Sequence, residues 1–234
     1  MEWEGVQFPH LQSVTISPDI FIYAYDGTLV ATRINEKGEV EKKVDYPLSK
    51  VDSKTRMVDD LRVLDNNVVV VLGSNEVIPC EVEYDSTNIH IQCTKGVRFT
   101  EKPSVNAQMD TLDETSFAIS YYFTEDVGKY KLATRVGFVD RTEYLHIYLY
   151  DETPYSSNYM FHGIAGLDDE TYVLAKAGSE DGSSYDLMFQ LARITNGKPQ
   201  IGHELVLKNR TDIGFFDMDK YFCFCFCFCF CFYL

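Results

Sequence analysis

Arg62, Gln108, Asp110 and His162 are the side chains of this chain best suited to chemistry, each in or beside a short apolar run. Gathered at one mouth of a folded domain, carboxylates of this kind are what a hydrolase or lyase would use. Two acid pairs add a second possibility. Glu125-Asp126 and Glu180-Asp181 occupy matching places in turns, and carboxylates sharing one rim can collect the several oxygen ligands that calcium requires. Neither turn has the Asp-x-Asp-x-Asp-Gly spacing of a calcium loop. Solvated turn acids are therefore the expectation and no cofactor is assigned, calcium being the one cation the pattern admits. The five histidines are scattered without ligand-like spacing. No phosphate-binding glycine loop, nucleophile elbow or zinc-protease motif occurs, so no catalytic residue or metal ligand is assigned.

The seven cysteines fall into two groups. Cys80 and Cys93 are placed symmetrically about Asp85-Ser86-Thr87-Asn88, which reads as a hairpin turn, so the two thiols should face each other across it. A cross-strand disulfide is one outcome. Reduced thiols packed as small apolar groups are the expectation, because no export signal is visible. The other five alternate with phenylalanine from Phe222 to Phe232. A straight strand cannot fold such thiols around a metal ion, so the run reads as a low-complexity tail.

These groups need a framework, and composition narrows what it can be. Against 36 acidic side chains stand 21 basic ones, a net charge of −15. That balance argues against nucleic acid or an anionic membrane as a partner, since phosphate contacts need clustered Lys and Arg. The start, Met1-Glu2-Trp3-Glu4-Gly5, lacks the apolar core of a signal peptide, and no long apolar stretch could span a bilayer. The expected compartment is cytoplasmic.

An internal repeat supplies the framework. Leu112-Asp113-Glu114-Thr115-Ser116-Phe117-Ala118-Ile119 matches Leu167-Asp168-Asp169-Glu170-Thr171-Tyr172-Val173-Leu174. Leu64-Asp65-Asn66-Asn67-Val68 and Met218-Asp219-Lys220-Tyr221 repeat the anchor with a shorter turn, and Ile16-Ser17-Pro18-Asp19-Ile20 is a degenerate first copy. Successive anchors lie 48, 48, 55 and 51 residues apart. The anchor aspartates should close their turns by bonding backbone two residues on. Ala31-Thr32-Arg33 recurs as Ala133-Thr134-Arg135, which suggests equivalent points on third strands, each arginine pairing with a neighbouring acid. Each unit reads as four short strands rich in Val, Ile, Tyr and Phe. Asp26-Gly27, Asp181-Gly182 and Asn196-Gly197 supply tight hairpin turns.

Four antiparallel strands in about fifty residues resemble a blade of the β-propeller repeat superfamily, with a period like that of kelch and WD40 units. The hallmark dipeptides of both families are absent, so the resemblance implies architecture and carries over no functional residues. It divides the chain into a repeat domain over 1–221, with units near 12–58, 59–105, 106–158 and 159–209 and a partial unit over 210–221, followed by a tail over 222–234. The all-β, propeller-like array would be four complete blades and part of a fifth. Either the ring closes with Gly5–Pro9 as an outer strand, or the chain is a piece of a longer propeller, which the artificial look of the tail favours. The functional expectation is a non-catalytic scaffold that binds a protein or peptide through its rim or channel mouth. The alternative is a propeller hydrolase or lyase using the channel-mouth carboxylates, with calcium assisting.

Overall fold

Short runs of β-branched and aromatic residues, cut by Asp, Asn and Gly every six to twelve positions, favour strands. The computed structural model describes residues 12–51, 58–65, 67–73, 75–126, 129–155, 159–178 and 185–210, leaving aside the side chains of 125, 126, 129, 130, 159–161, 178, 185, 186 and 207–210. It is all-β, with four antiparallel sheets in chain order. Sheet 1 holds β1 (Gln12–Ser17), β2 (Ile20–Tyr25), β3 (Thr28–Ile34) and β4 (Val40–Pro47). Sheet 2 holds β5 (Asp60–Val63), β6 (Val68–Gly73), β7 (Glu76–Tyr84) and β8 (Ile89–Cys93), with the short β9 (Val97–Arg98) also on β7. Sheet 3 holds β10 (Ser104–Thr111), β11 (Ser116–Asp126), β12 (Lys129–Asp140) and β13 (His146–Leu149), with β14 (Thr153–Pro154) also on β12. Sheet 4 holds β15 (Tyr159–Asp168), β16 (Thr171–Gly178), β17 (Tyr185–Thr195) and β18 (Lys198–Arg210). The one helical element among the described residues is a 3-10 turn at Leu48–Lys50, and none of their helices is long and apolar enough to cross a membrane.

Local chemistry sets the turns. Asp26 and Gly27 (φ 47° and 68°) join Tyr25 to Thr28, and Asn196 and Gly197 (φ 51° and 73°) join Thr195 to Lys198. Two consecutive positive φ angles match the twist of the flanking strands, which is why these residue pairs occur there. Asp181-Gly182 lies outside the described residues. At the anchors, Asp65 Oδ1 accepts the backbone N–H of Asn67 and Val68, Asp113 Oδ1 those of Thr115 and Ser116, and Asp168 Oδ1 that of Glu170. Each carboxylate thus replaces the hydrogen bonds that the backbone gives up at the turn.

Stacking follows from the two-residue period of a strand. In β6, Val69 and Val71 face sheet 1 while Val68, Val70 and Leu72 face sheet 3. In β11, Phe117, Ile119 and Tyr121 face sheet 2 while Ala118 and Tyr122 face sheet 4. The middle sheets are therefore packed on both sides, which is why β6 and the middle of β11 are almost continuously apolar. Strands β1, β5, β10 and β15, the first strand of each sheet, touch in succession and are termed the inner strands. Between β10 and β15 the approach is very close: a Cβ on Gly166 would lie 2.0 Å from the Thr111 carbonyl oxygen. Only glycine lets the two backbones meet there.

One expectation from the repeat changes. Arg33 pairs with Ile20, the first residue of β2, whereas Arg135 pairs with Ile119, the fourth residue of β11. The β11–β12 hairpin is longer and carries a register shift between Thr124 and Asp126. The recurring Ala-Thr-Arg is therefore displaced along its ladder, and the two arginines do different jobs. Arg33 faces the Asp19 carboxylate at 3.1 Å and donates to the Asp85 carbonyl of sheet 2. Among the described residues Arg135 pairs with no acid; it donates to the carbonyls of Tyr150 and of Phe99, between sheets 2 and 3.

Candidate functional site

The inner strands gather the main cluster of opposite charges. Asp60 and Arg62 lie two apart on β5, on the same side of the strand, and Asp110 stands at the matching place on β10, two residues before its anchor leucine. Arg62 Nη1 is 2.5 Å from Asp60 Oδ1, and Arg62 Nε is 3.4 Å from Asp110 Oδ1. Asp60 also accepts the N–H of Leu61 and, across the sheet boundary, that of Met109, both at 2.8 Å. Asp110 repeats the pattern one sheet on, accepting the N–H of Gly166 at 2.8 Å. Burial pushes the Asp60 carboxyl up to about 6, against the pull of Arg62 and of the two N–H donors, and burial likewise raises that of Asp110.

This geometry defines what the cluster does. An inner strand is a sheet edge, and N–H groups along it need partners once the next sheet covers them. Asp60 and Asp110 supply those partners from the preceding sheet, and Arg62 balances their charge. Two of the candidates, Arg62 and Asp110, thus converge, and Asp60 joins them. Sequence reasoning missed Asp60, although the Asp-x-Arg spacing on β5 was the available signal. Gln108 lies half-buried on β10 opposite Ser120.

His162 does not join this cluster, although it too lies on an inner strand, β15. It is 3% exposed and points into the contact between sheets 3 and 4, its ring edge-on to Tyr122 at 4.7 Å. Burial holds its imidazole down at about 4, so it is neutral at physiological pH. Its Nε2 and the Ser120 hydroxyl have no hydrogen-bond partner among the described residues. The residue opposite it on β16 is Lys176, also buried, whose ammonium meets Glu204 at 2.5 Å and donates to Gln190 at 3.0 Å. Nearby, Thr134 Oγ1 bonds the Tyr172 hydroxyl at 2.8 Å and the Tyr155 hydroxyl at 3.3 Å. Burial raises the pKa of both phenols, which stay protonated. The third and fourth sheets are thus joined by a polar seam.

A third feature is exposed. Tyr144, His146, Tyr148 and Tyr150 alternate with Leu145, Ile147 and Leu149, so the leucines and isoleucine enter the core while the rings share the other face. Tyr144, Tyr148 and Tyr150 are 62%, 47% and 38% exposed. Ring centroids follow one another from Tyr144 to His146 (5.6 Å), to Tyr148 (4.8 Å), to Phe138 (5.1 Å) and to Tyr150 (5.8 Å). These distances are those of favourable edge and offset contacts, so the five rings form one ribbon.

Of the other candidates, Glu180 and Asp181 lie outside the described residues, as do the side chains of Glu125 and Asp126 at the end of β11. Gly5–Pro9, the partial unit over 210–221 beyond its first residue, and the Phe-Cys tail lie outside them as well. Among the described residues no group of three or more His, Cys, Asp or Glu side chains is placed to hold a metal ion. Cys80 and Cys93 stand directly opposite each other with Cα atoms 4.0 Å apart and are joined as a disulfide, where reduced thiols were expected. No protein-family model matches this chain, and the comparison with curated proteins finds no relative.

Proposed function

We propose that this chain is a non-catalytic, β-propeller-type scaffold that binds a protein or peptide partner through its rim. The observation that carries this reading is the division of labour between its polar and aromatic groups. The charges that converge on the inner strands are engaged in bonds between sheets, with Asp60 and Asp110 each holding a backbone N–H of the following strand. A catalytic carboxylate needs an oxygen available to substrate. The aromatic ribbon on β13, by contrast, faces solvent, and aromatic side chains are the residues most enriched at binding hot spots. The propeller reading rests on the fifty-residue period and on four sheets stacked in chain order with their first strands in one line. Panning a displayed peptide library against the purified chain tests the reading. Saturable binding that survives Asp110→Asn and weakens with Tyr148→Ala is expected. Turnover of a glycoside or ester panel that disappears in a folded Asp110→Asn variant would overturn it in favour of a hydrolase or lyase, and calcium-dependent turnover would add the rim acids to that site.

A further inference from the structure

Among the described residues nothing pairs with the far edge of β13. Two of the three corresponding strands in the other sheets are guarded: β4 carries Lys42 and Lys43, and β18 opens on Lys198-Pro199. The third, β8, is unguarded too, but its solvent face shows only His90 and Gln92 and no aromatic ring. Lysine and proline on an edge discourage pairing with other chains. β13 reads His-Ile-Tyr-Leu and carries neither.

The charge beside it is one-sided. Between 140 and 152 the acids are Asp140, Glu143, Asp151 and Glu152, and the one base is Arg141. Arg141 is turned toward sheet 2, where Asp65 and Glu81 hold its guanidinium. Lys198 meets Asp151 at 3.1 Å and Glu152 accepts the Tyr121 hydroxyl, which leaves Asp140 and Glu143 as the acids beside Tyr144 and His146. A free strand edge, exposed phenol rings and carboxylates at the same end fit a ligand that offers backbone hydrogen bonds and cations together.

We propose that β13 is a docking edge for an extended peptide rich in arginine or lysine. Its backbone adds a strand to sheet 3, and its cations lie over the rings of Tyr144 and Tyr148 with Asp140 and Glu143 beside them. This rests on the partner-binding reading above and specifies the partner's chemistry and its seat.

Fluorescence anisotropy of a labelled Arg-Val-Arg-Val-Arg-Val peptide against the full chain tests it. Saturable binding is expected, weakened about tenfold or more by replacing the arginines with glutamate, by N-methylating alternate peptide bonds, or by Tyr144→Ala with Tyr148→Ala. Tyr148→Phe keeps a ring and should stay within about twofold. The far-ultraviolet circular dichroism and melting point of the double variant should match those of the parent, because both side chains are largely exposed. Undiminished binding to the double variant or of the N-methylated peptide would overturn the proposal. So would a single-stranded oligonucleotide or an oligosaccharide that binds through the two tyrosines. If a glutamate or uncharged peptide takes that seat instead, the cationic partner is refuted while partner binding stands. If no library peptide binds the chain anywhere, both fall.

Discussion

Apart from the Arg33 bond to the Asp85 carbonyl, sheets 1 and 2 meet through hydrocarbon: Ile22 and Leu29 on one side, Val69, Val71 and Ile78 on the other, with the Cys80–Cys93 disulfide in the same cluster. Sheets 3 and 4 add hydroxyls, an imidazole and an ammonium over the Tyr155 ring to an apolar contact of Leu112, Leu132 and Val136 with Ile164 and Leu174. The two contacts occupy equivalent places between successive repeats, yet they differ in what they require. Hydrocarbon tolerates small shifts, since its attraction has no direction. A buried hydroxyl network holds one arrangement, because each group that loses its partner costs more than its bond contributed. The same fold thus carries a permissive contact at one end and an exacting one at the other.

The contrast can be broken most forcefully where backbone meets backbone. Gly166→Ala drives a methyl group onto the Thr111 carbonyl and should cost about 4 kcal/mol, read as a lowered urea midpoint, because neither strand can retreat without parting sheets 3 and 4. Ile22→Ala at the hydrocarbon contact should cost about 3 kcal/mol, with the same value between pH 7 and pH 5. If its cost varied with pH, the two contacts would not be distinct in kind.

His162 makes the polar contact sensitive to acid. Its folded pKa is depressed to about 4 from 6.5. The stability it confers is therefore complete above 6.5 and is lost as pH falls toward 4. Asp60 acts with the opposite sign: its folded pKa is raised to about 6, so its contribution is greatest below 3.8 and fades as pH rises through 6. The parent should show a shallow profile from pH 7 to 5, since the two trends oppose each other. His162→Phe should gain about 2 kcal/mol on the parent over that interval, measured by chemical denaturation at each pH. An unchanged difference would place His162 outside the buried seam. The smallest of these effects belongs to Thr134→Val, which strips the shared partner from two phenols and should cost about 1 kcal/mol, since the Tyr155 and Tyr172 hydroxyls still face each other at 3.4 Å.

Much of the fold was legible because its signals are local. Anchor aspartates bond their own turns, Asp-Gly and Asn-Gly close hairpins through positive φ, and each strand carries its own apolar pattern. The symmetric spacing of Cys80 and Cys93 even gave their register. What was not legible depends on parity and neighbours. Which face of β15 takes His162 is fixed by a two-residue period that a glycine-containing strand, Gly163 and Gly166, does not display. Arg33 and Arg135 looked equivalent because a longer hairpin with a register shift changes the ladder without disturbing the tripeptide. Asp60 was missed because its main role, holding Met109 N–H, involves a residue 49 positions away.

The aspartate bonds between inner strands share a direction. Asp60 of sheet 2 holds an N–H of sheet 3, and Asp110 of sheet 3 holds one of sheet 4. In both, the earlier segment supplies the acceptor that the later one needs. A chain emerging from its N-terminus would therefore present each new edge to a receptor already in place. Assembly then proceeds like a zip with a preferred starting end, and a sheet made ahead of its predecessor would wait with its edge unsatisfied.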